Sequence, residues 1–181
     1  MQTAKPIGIF DSGMGGLTVA REIKKALPNE NIIYFGDTMH VPYGDKSKET
    51  VVEYSKNIVD FLLSKKCKAI VIACNTASAN AFSELQQIMP KGIPLIDVIS
   101  PVTDHVSFQL YQKIAVVATK ATIASNVYKK KIKSNNKHLQ VVEMATPLLV
   151  PIIEEGLQIC NHVPQKKNLA CKHITKFAQS F

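Results

Sequence analysis

Tryptophan is missing from the 181-residue chain, and its one arginine is Arg21. Base reading in nucleic acids leans on arginine and aromatic stacking, so a dedicated nucleic-acid domain is not expected. No apolar run approaches the roughly 18 residues that a membrane span requires. Residues 1–10 lack the apolar core of a secretion signal, so a soluble, cytoplasmic protein is expected. The four cysteines (Cys67, Cys74, Cys160 and Cys171) form no C-x-x-C pair, which excludes a zinc ribbon and a thioredoxin-type motif. The histidines (His40, His105, His138, His162 and His173) are scattered with no H-x-x-x-H spacing, so no metal site is expected. No short internal repeat is present.

What remains is ordinary globular composition, 46% hydrophobic and 20% charged, which excludes collagen-like and largely disordered chains. A chain this long buries roughly 70% of its unfolded surface. The net charge of +8 is uneven: residues 1–100 carry 11 basic and 10 acidic side chains, residues 101–181 carry 11 and 4. The excess sits in Lys129, Lys130, Lys131, Lys133 and Lys137, then in Lys166, Lys167, Lys172 and Lys176. The simplest reading is a solvated lysine-rich helix face. A basic interaction surface is the alternative.

Short β-branched runs alternate with longer amphipathic ones. Strands are predicted at 7–10, 32–35, 69–73, 95–98, 114–118 and 141–144. Helices are predicted at 17–27, 47–65, 77–89, 102–111, 122–133 and 148–156. This alternation predicts an α/β fold with parallel sheets flanked by helices. The fourth strand ends just before Ser100-Pro101, which divides the chain into a first lobe, 1–99, and a partial second lobe, 100–181. Residues 160–181 show no strand pattern.

Sites in open α/β sheets form where strands run out at their carboxyl ends. Three such loops are polar and rich in small residues. The first, Asp11-Ser12-Gly13-Met14-Gly15-Gly16, is neither a dinucleotide fingerprint nor a P-loop, yet its glycines admit a ligand to the backbone. The second runs from Gly36-Asp37 through His40 to Pro42-Tyr43-Gly44. The third, Cys74-Asn75-Thr76, sets a thiol at a helix start, where the amides are expected to lower its pKa and favour the reactive thiolate. Asn75 and Thr76 can donate to a bound carboxylate. These loops follow the first three strands and should converge on one cleft. That predicts an enzyme without metal or cofactor that binds a small anion and uses Cys74.

Several segments resemble the glutamate racemase family of cofactor-independent racemases: 7–19 (IGIFDSGMGGLTV), 36–44, 73–79 (ACNTASA), 118–123 and 147–156. The resemblance runs in order along the chain. It implies two Rossmann-like lobes, the second incomplete here, and interconversion of L- and D-glutamate that supplies D-glutamate for peptidoglycan. It also implies two cysteines that exchange a proton with opposite faces of the α-carbon. Carried over, Cys74 is one acid/base and Asp11 lies beside it. Ser12, Tyr43, Gly44, Asn75 and Thr76 line the substrate site, with Thr119 and Thr122 from a further matching segment. Glutamate is the implied small-molecule partner and a homodimer the implied assembly. The family's second cysteine motif, Gly-Cys-Thr-His, has no counterpart. Cys171-Lys172-His173 and Cys160-Asn161-His162 come nearest, and neither follows an apolar strand. The resemblance fades from Leu157, as expected of a truncation or an altered reading frame. The alternative is therefore a non-catalytic remnant that still binds glutamate.

Overall fold

The structure is a computed structural model, and it describes residues 5–107 and 109–154. The elements alternate as the sequence predicts. Strand β1 (Ile7–Asp11) leads to helix α1 (Leu17–Ala26), and β2 (Ile32–Gly36) leads through a 3-10 turn at Tyr43–Asp45 to α2 (Lys48–Ser64). Then come β3 (Ala69–Ile72), α3 (Asn75–Ile88), β4 (Leu95–Asp97) and α4 (Ser100–Ser107). The remainder is β5 (Lys113–Ala118), α5 (Lys120–Ser125), α6 (Val127–Asn135), β6 (Gln140–Ala145) and α7 (Leu149–Glu154).

Strands β1 to β4 form one parallel sheet in the order β2-β1-β3-β4. Its central strand explains the apolar run at residues 7–10. Every residue of β1 is buried, because a parallel sheet is covered on both faces. Ile7 and Ile9 pack with Val71 and Ala20 on one face. Phe10 packs with Ile70, Ile72, Leu62 and Leu85 on the other. The alternation sends successive side chains to opposite layers of helices. Strands β5 and β6 form a separate parallel pair, backed by a small cluster of Ile132, Leu139 and Val141 with Val106, Ile114 and Val116.

Two helices depart from the sequence reading. The helix expected over 122–133 is broken at Asn126, which takes a left-handed conformation (φ 56°) and closes α5 before α6 begins. Asparagine tolerates that conformation through local hydrogen bonding, so a helix can end there without glycine. The helix expected over 102–111 runs from Ser100 to Ser107. Its start is fixed by Asp97, whose Oδ1 accepts from the Ile99 and Ser100 amides at 2.7 and 2.6 Å. On α6, Lys129 and Lys130 are exposed, Lys131 donates to Ser100 Oγ (2.9 Å) and Lys133 to the Lys137 carbonyl (2.9 Å). Lys166, Lys167, Lys172, Lys176 and the Cys160 and Cys171 segments lie outside the described residues.

Candidate active site

The loops after β1, β2 and β3 meet at the carboxyl edge of the first sheet, as the strand order requires. They enclose a cleft of about 330 Å³ lined by Asp11, Ser12, Tyr43, Gly44, Cys74, Asn75 and Thr76. The loop after β5 adds Thr119 and Lys120, and Pro147, Val150 and Pro151 reach it from beyond β6. The volume falls at the small end of the range for small-molecule sites, about 300–1,000 Å³.

Asp11 ends β1 and is buried. Its Oδ2 accepts from the amides of Gly16 (2.9 Å) and Gly13 (3.2 Å), so the carboxylate folds the glycine loop around itself. Gly16 is required there, because a Cβ would stand 2.6 Å from the Asp11 Cβ and 2.9 Å from that of Ala73. Tyr34, in β2, ties the same loop down by donating to the Gly13 carbonyl at 2.8 Å. Its hydroxyl is held well above the ordinary tyrosine range by burial, then by the Asp11 charge.

Cys74 is the N-cap of α3, and its sulfur accepts from the Ala77 amide at 3.4 Å. The thiol donates weakly to Ser12 Oγ at 3.5 Å, joining the first and third loops. The expectation of a lowered pKa fails. Burial first, and then the Asp11 carboxylate, push the thiol up to about 11, against the opposing hydrogen bonds at Ser12 and Ala77. Two partial dipoles at the helix start do not offset the loss of water together with a nearby negative charge.

The second loop is organised by Asp37. Asp37 is buried, and its Oδ2 accepts from the Tyr43 hydroxyl at 2.6 Å, while His40 Nδ1 lies 2.8 Å from Oδ1. Tyr43 is 1% exposed, and burial together with the Asp37 bond holds its hydroxyl far above the ordinary range. Tyr43 thus reaches the cleft as a wall anchored from behind. The His40 ring stacks on Tyr54, with centroids 4.1 Å apart.

Three threonines connect α3 with the start of α5. Thr76 Oγ1 lies 3.0 Å from Thr119 Oγ1, which lies 3.0 Å from Thr122 Oγ1, and the Thr122 hydroxyl returns to Thr76 at 3.4 Å. Thr119 is also the N-cap of α5. Gly44 packs so closely on this group that a Cβ there would stand 2.6 Å from Thr119 Cβ and Cγ2. Thr122 itself is 1% exposed and does not line the cleft. It braces Thr76 and Thr119 from beneath. Asn80 donates to the carbonyls of Thr76, one turn back in α3 (2.9 Å), and Ala121 in α5 (3.3 Å), adding a second tie between the two helices.

Of the nine site residues expected from sequence, the fold brings eight to the cleft wall and places Thr122 behind it. Tyr34, Asp37, Pro147 and Tyr128, whose hydroxyl bonds Asn75 across the sheets (2.6 Å), are the additions. No helix among the described residues is long and apolar enough to cross a membrane.

The profile of the Asp/Glu/Hydantoin racemase family matches residues 7–160. A glutamate racemase of Geobacter metallireducens is 51% identical over 153 residues, covering 84% of this chain and 56% of that protein. The chain therefore spans little more than half the length of the curated relatives it matches. Among solved structures, glutamate racemase from Francisella tularensis in complex with D-glutamate superposes with a TM-score of 0.81 at 44% identity, over 87% of this chain and 58% of that one. A glutamate racemase isoform from Bacillus anthracis superposes with a TM-score of 0.85 at 39% identity, over 97% of this chain and 65% of that one. The parallel sheets, the glycine loop folded on Asp11 and the thiol at the start of α3 all lie within the matched span, and the chain belongs to the Asp/Glu/Hydantoin racemase family.

Proposed function

We propose that this chain binds glutamate in the Cys74 cleft and interconverts its L and D forms by proton transfer at the α-carbon, without a cofactor. The observation that carries this reading is the meeting of a buried thiol, a buried carboxylate and carboxylate-binding donors in one cleft. Glutamate brings one ammonium and two carboxylates. The ammonium pairs with Asp11, whose second oxygen is not used by the Gly13 and Gly16 amides. A carboxylate takes donors from the Asn75 side chain, the Thr76 and Thr119 hydroxyls and the first backbone N–H groups of α3, which have no carbonyl within the helix to bond.

The raised thiol fits this chemistry. Burial and the Asp11 charge keep the proton on Cys74, which stands ready as an acid. A substrate ammonium beside Asp11 offsets the charge that holds the proton on sulfur, so the thiolate becomes accessible once substrate is seated. With its own proton passed to solvent, Cys74 then takes the α-proton from one face, the resulting carbanion is held by hydrogen bonds alone, and a second acid, which the family resemblance implies, returns a proton to the opposite face to complete the inversion. Asp11 and Cys74 are the proposed catalytic residues, and Ser12 sets the thiol rotamer. Tyr43 and Gly44 form the opposite wall, braced on Asp37 and Thr119.

This activity would supply D-glutamate for peptidoglycan in the cytoplasm. The two sheets are read as two lobes divided at residues 99 and 100, and a homodimer is the proposed assembly. The test is a circular dichroism assay of D- and L-glutamate with the full chain and with Cys74→Ala. Change of optical activity with the native chain, lost in the variant, supports the reading. Equal rates with and without the thiol overturn it, and binding of glutamate without turnover assigns the chain to the non-catalytic alternative.

A further inference from the structure

The useful orientation of the Asn75 carboxamide is not settled by the cleft itself. A carboxamide has one acceptor oxygen and a nitrogen with two N–H donors, and the two ends have almost the same shape. A bound carboxylate only accepts, so Asn75 serves it with the nitrogen turned inward and repels it with the oxygen turned inward. The deciding contact comes from helix α6. Tyr128, near the start of α6, donates its hydroxyl to Asn75 Oδ1 at 2.6 Å. Asn75 sits on the wall between the Cys74 cleft and a second cavity of about 500 Å³, which Tyr128 borders with Val102, Val106 and Ile132.

We propose that Tyr128 is a positioning residue for the ligand: by occupying the Asn75 oxygen it presents the Asn75 N–H₂ to the cleft and tunes the site for a carboxylate. The inference rests on the glutamate reading and adds to it a residue of α6 that acts only through Asn75. Burial, and then the Asp97 carboxylate, raise the Tyr128 hydroxyl above its ordinary value, so it remains a donor through the physiological range. A phenylalanine keeps the ring and removes the donor, leaving the carboxamide free to flip.

The test is calorimetric titration of the full chain with L- and D-glutamate, using Tyr128→Phe, Asn75→Ala and the double variant. Tyr128→Phe should weaken binding about two- to tenfold, the factor that one neutral hydrogen bond supplies. In the double variant it should add nothing to the loss caused by Asn75→Ala. Unchanged affinity in Tyr128→Phe, or losses that multiply in the double variant, overturn the proposal. A native chain that binds neither enantiomer refutes the glutamate reading itself, and the role of Tyr128 toward it, before any variant is compared. If Tyr128→Phe does not fold, ¹⁵N NMR of the native chain decides. Glutamate should shift the Asn75 side-chain amide resonances, and resonances that stay in place while the Thr76 amide moves contradict the proposal.

Discussion

Cys74 should be a slow nucleophile in the ligand-free protein, and Asp11 should be part of the reason. The residue is 5% exposed and its thiol is raised from 9.0 to about 11 by burial and the Asp11 charge. At pH 8 about one molecule in a thousand then carries the thiolate, against about one in ten for a thiol at 9.0. The thiolate is the reactive species, so ionisation alone slows alkylation about a hundredfold. Limited access slows it further without moving the midpoint of the pH profile, so the midpoint is the informative quantity. The assay is iodoacetamide labelling from pH 7 to 11.5, with Cys74 followed by mass spectrometry of its peptide and the unfolded chain as reference. The native midpoint should lie near 11 and the unfolded one near the ordinary thiol value. Asp11→Asn removes the charge and should bring the midpoint down. A native Cys74 that titrates with the unfolded reference, or an Asp11→Asn profile that does not move, refutes the electrostatic reasoning.

The same shift has a consequence for stability. Folding favours the protonated thiol, so its contribution of about 3 kcal/mol is complete below pH 9 and lost as pH climbs toward 11. Urea midpoints should fall across that window and fall less in Cys74→Ser, and a native midpoint that is flat from pH 8.5 to 10.5 contradicts this. Gly44→Ala forces a methyl into contact with Thr119, 2.6 Å away. It should cost about 1–3 kcal/mol in urea denaturation and weaken glutamate binding, because the wall must move; native stability and affinity would show that this contact yields freely. Leu62 is fully buried against the first sheet, and Leu62→Ala should cost about 2–5 kcal/mol, whereas a loss below about 1 kcal/mol would mean that α2 packs loosely there.

Much of this architecture was legible in the residues. The apolar runs at 7–10 and 69–73 read as strands because both faces of a parallel sheet are covered, and the polar, small-residue loops after them could only meet at one edge. Asp11 and Cys74 are legible that way, whereas Tyr43 is carried only by the family resemblance. The pKa direction of Cys74 was not, because a helix start is visible in sequence while burial and the distance to Asp11 are not. The break at Asn126 went unseen because its signal is a single backbone angle at a residue common inside loops and helices alike. Thr122 is expected at the substrate site only through the family resemblance, and its hydroxyl bonds Thr119 and Thr76 instead of lining the cleft. Tyr34 and Tyr128 act on residues 21 and 53 positions away, so only the folded chain brings them to the site.

The central claim is that Cys74 exchanges a proton with the α-carbon of glutamate. It is tested most directly by incubating the full chain with L-glutamate, and separately with D-glutamate, in D₂O and following the α-proton by NMR. The account predicts that the α-proton signal is lost with at least one enantiomer, and that Cys74→Ala, still folded, abolishes the loss. A folded native chain that binds glutamate and leaves its α-proton in place would contradict it.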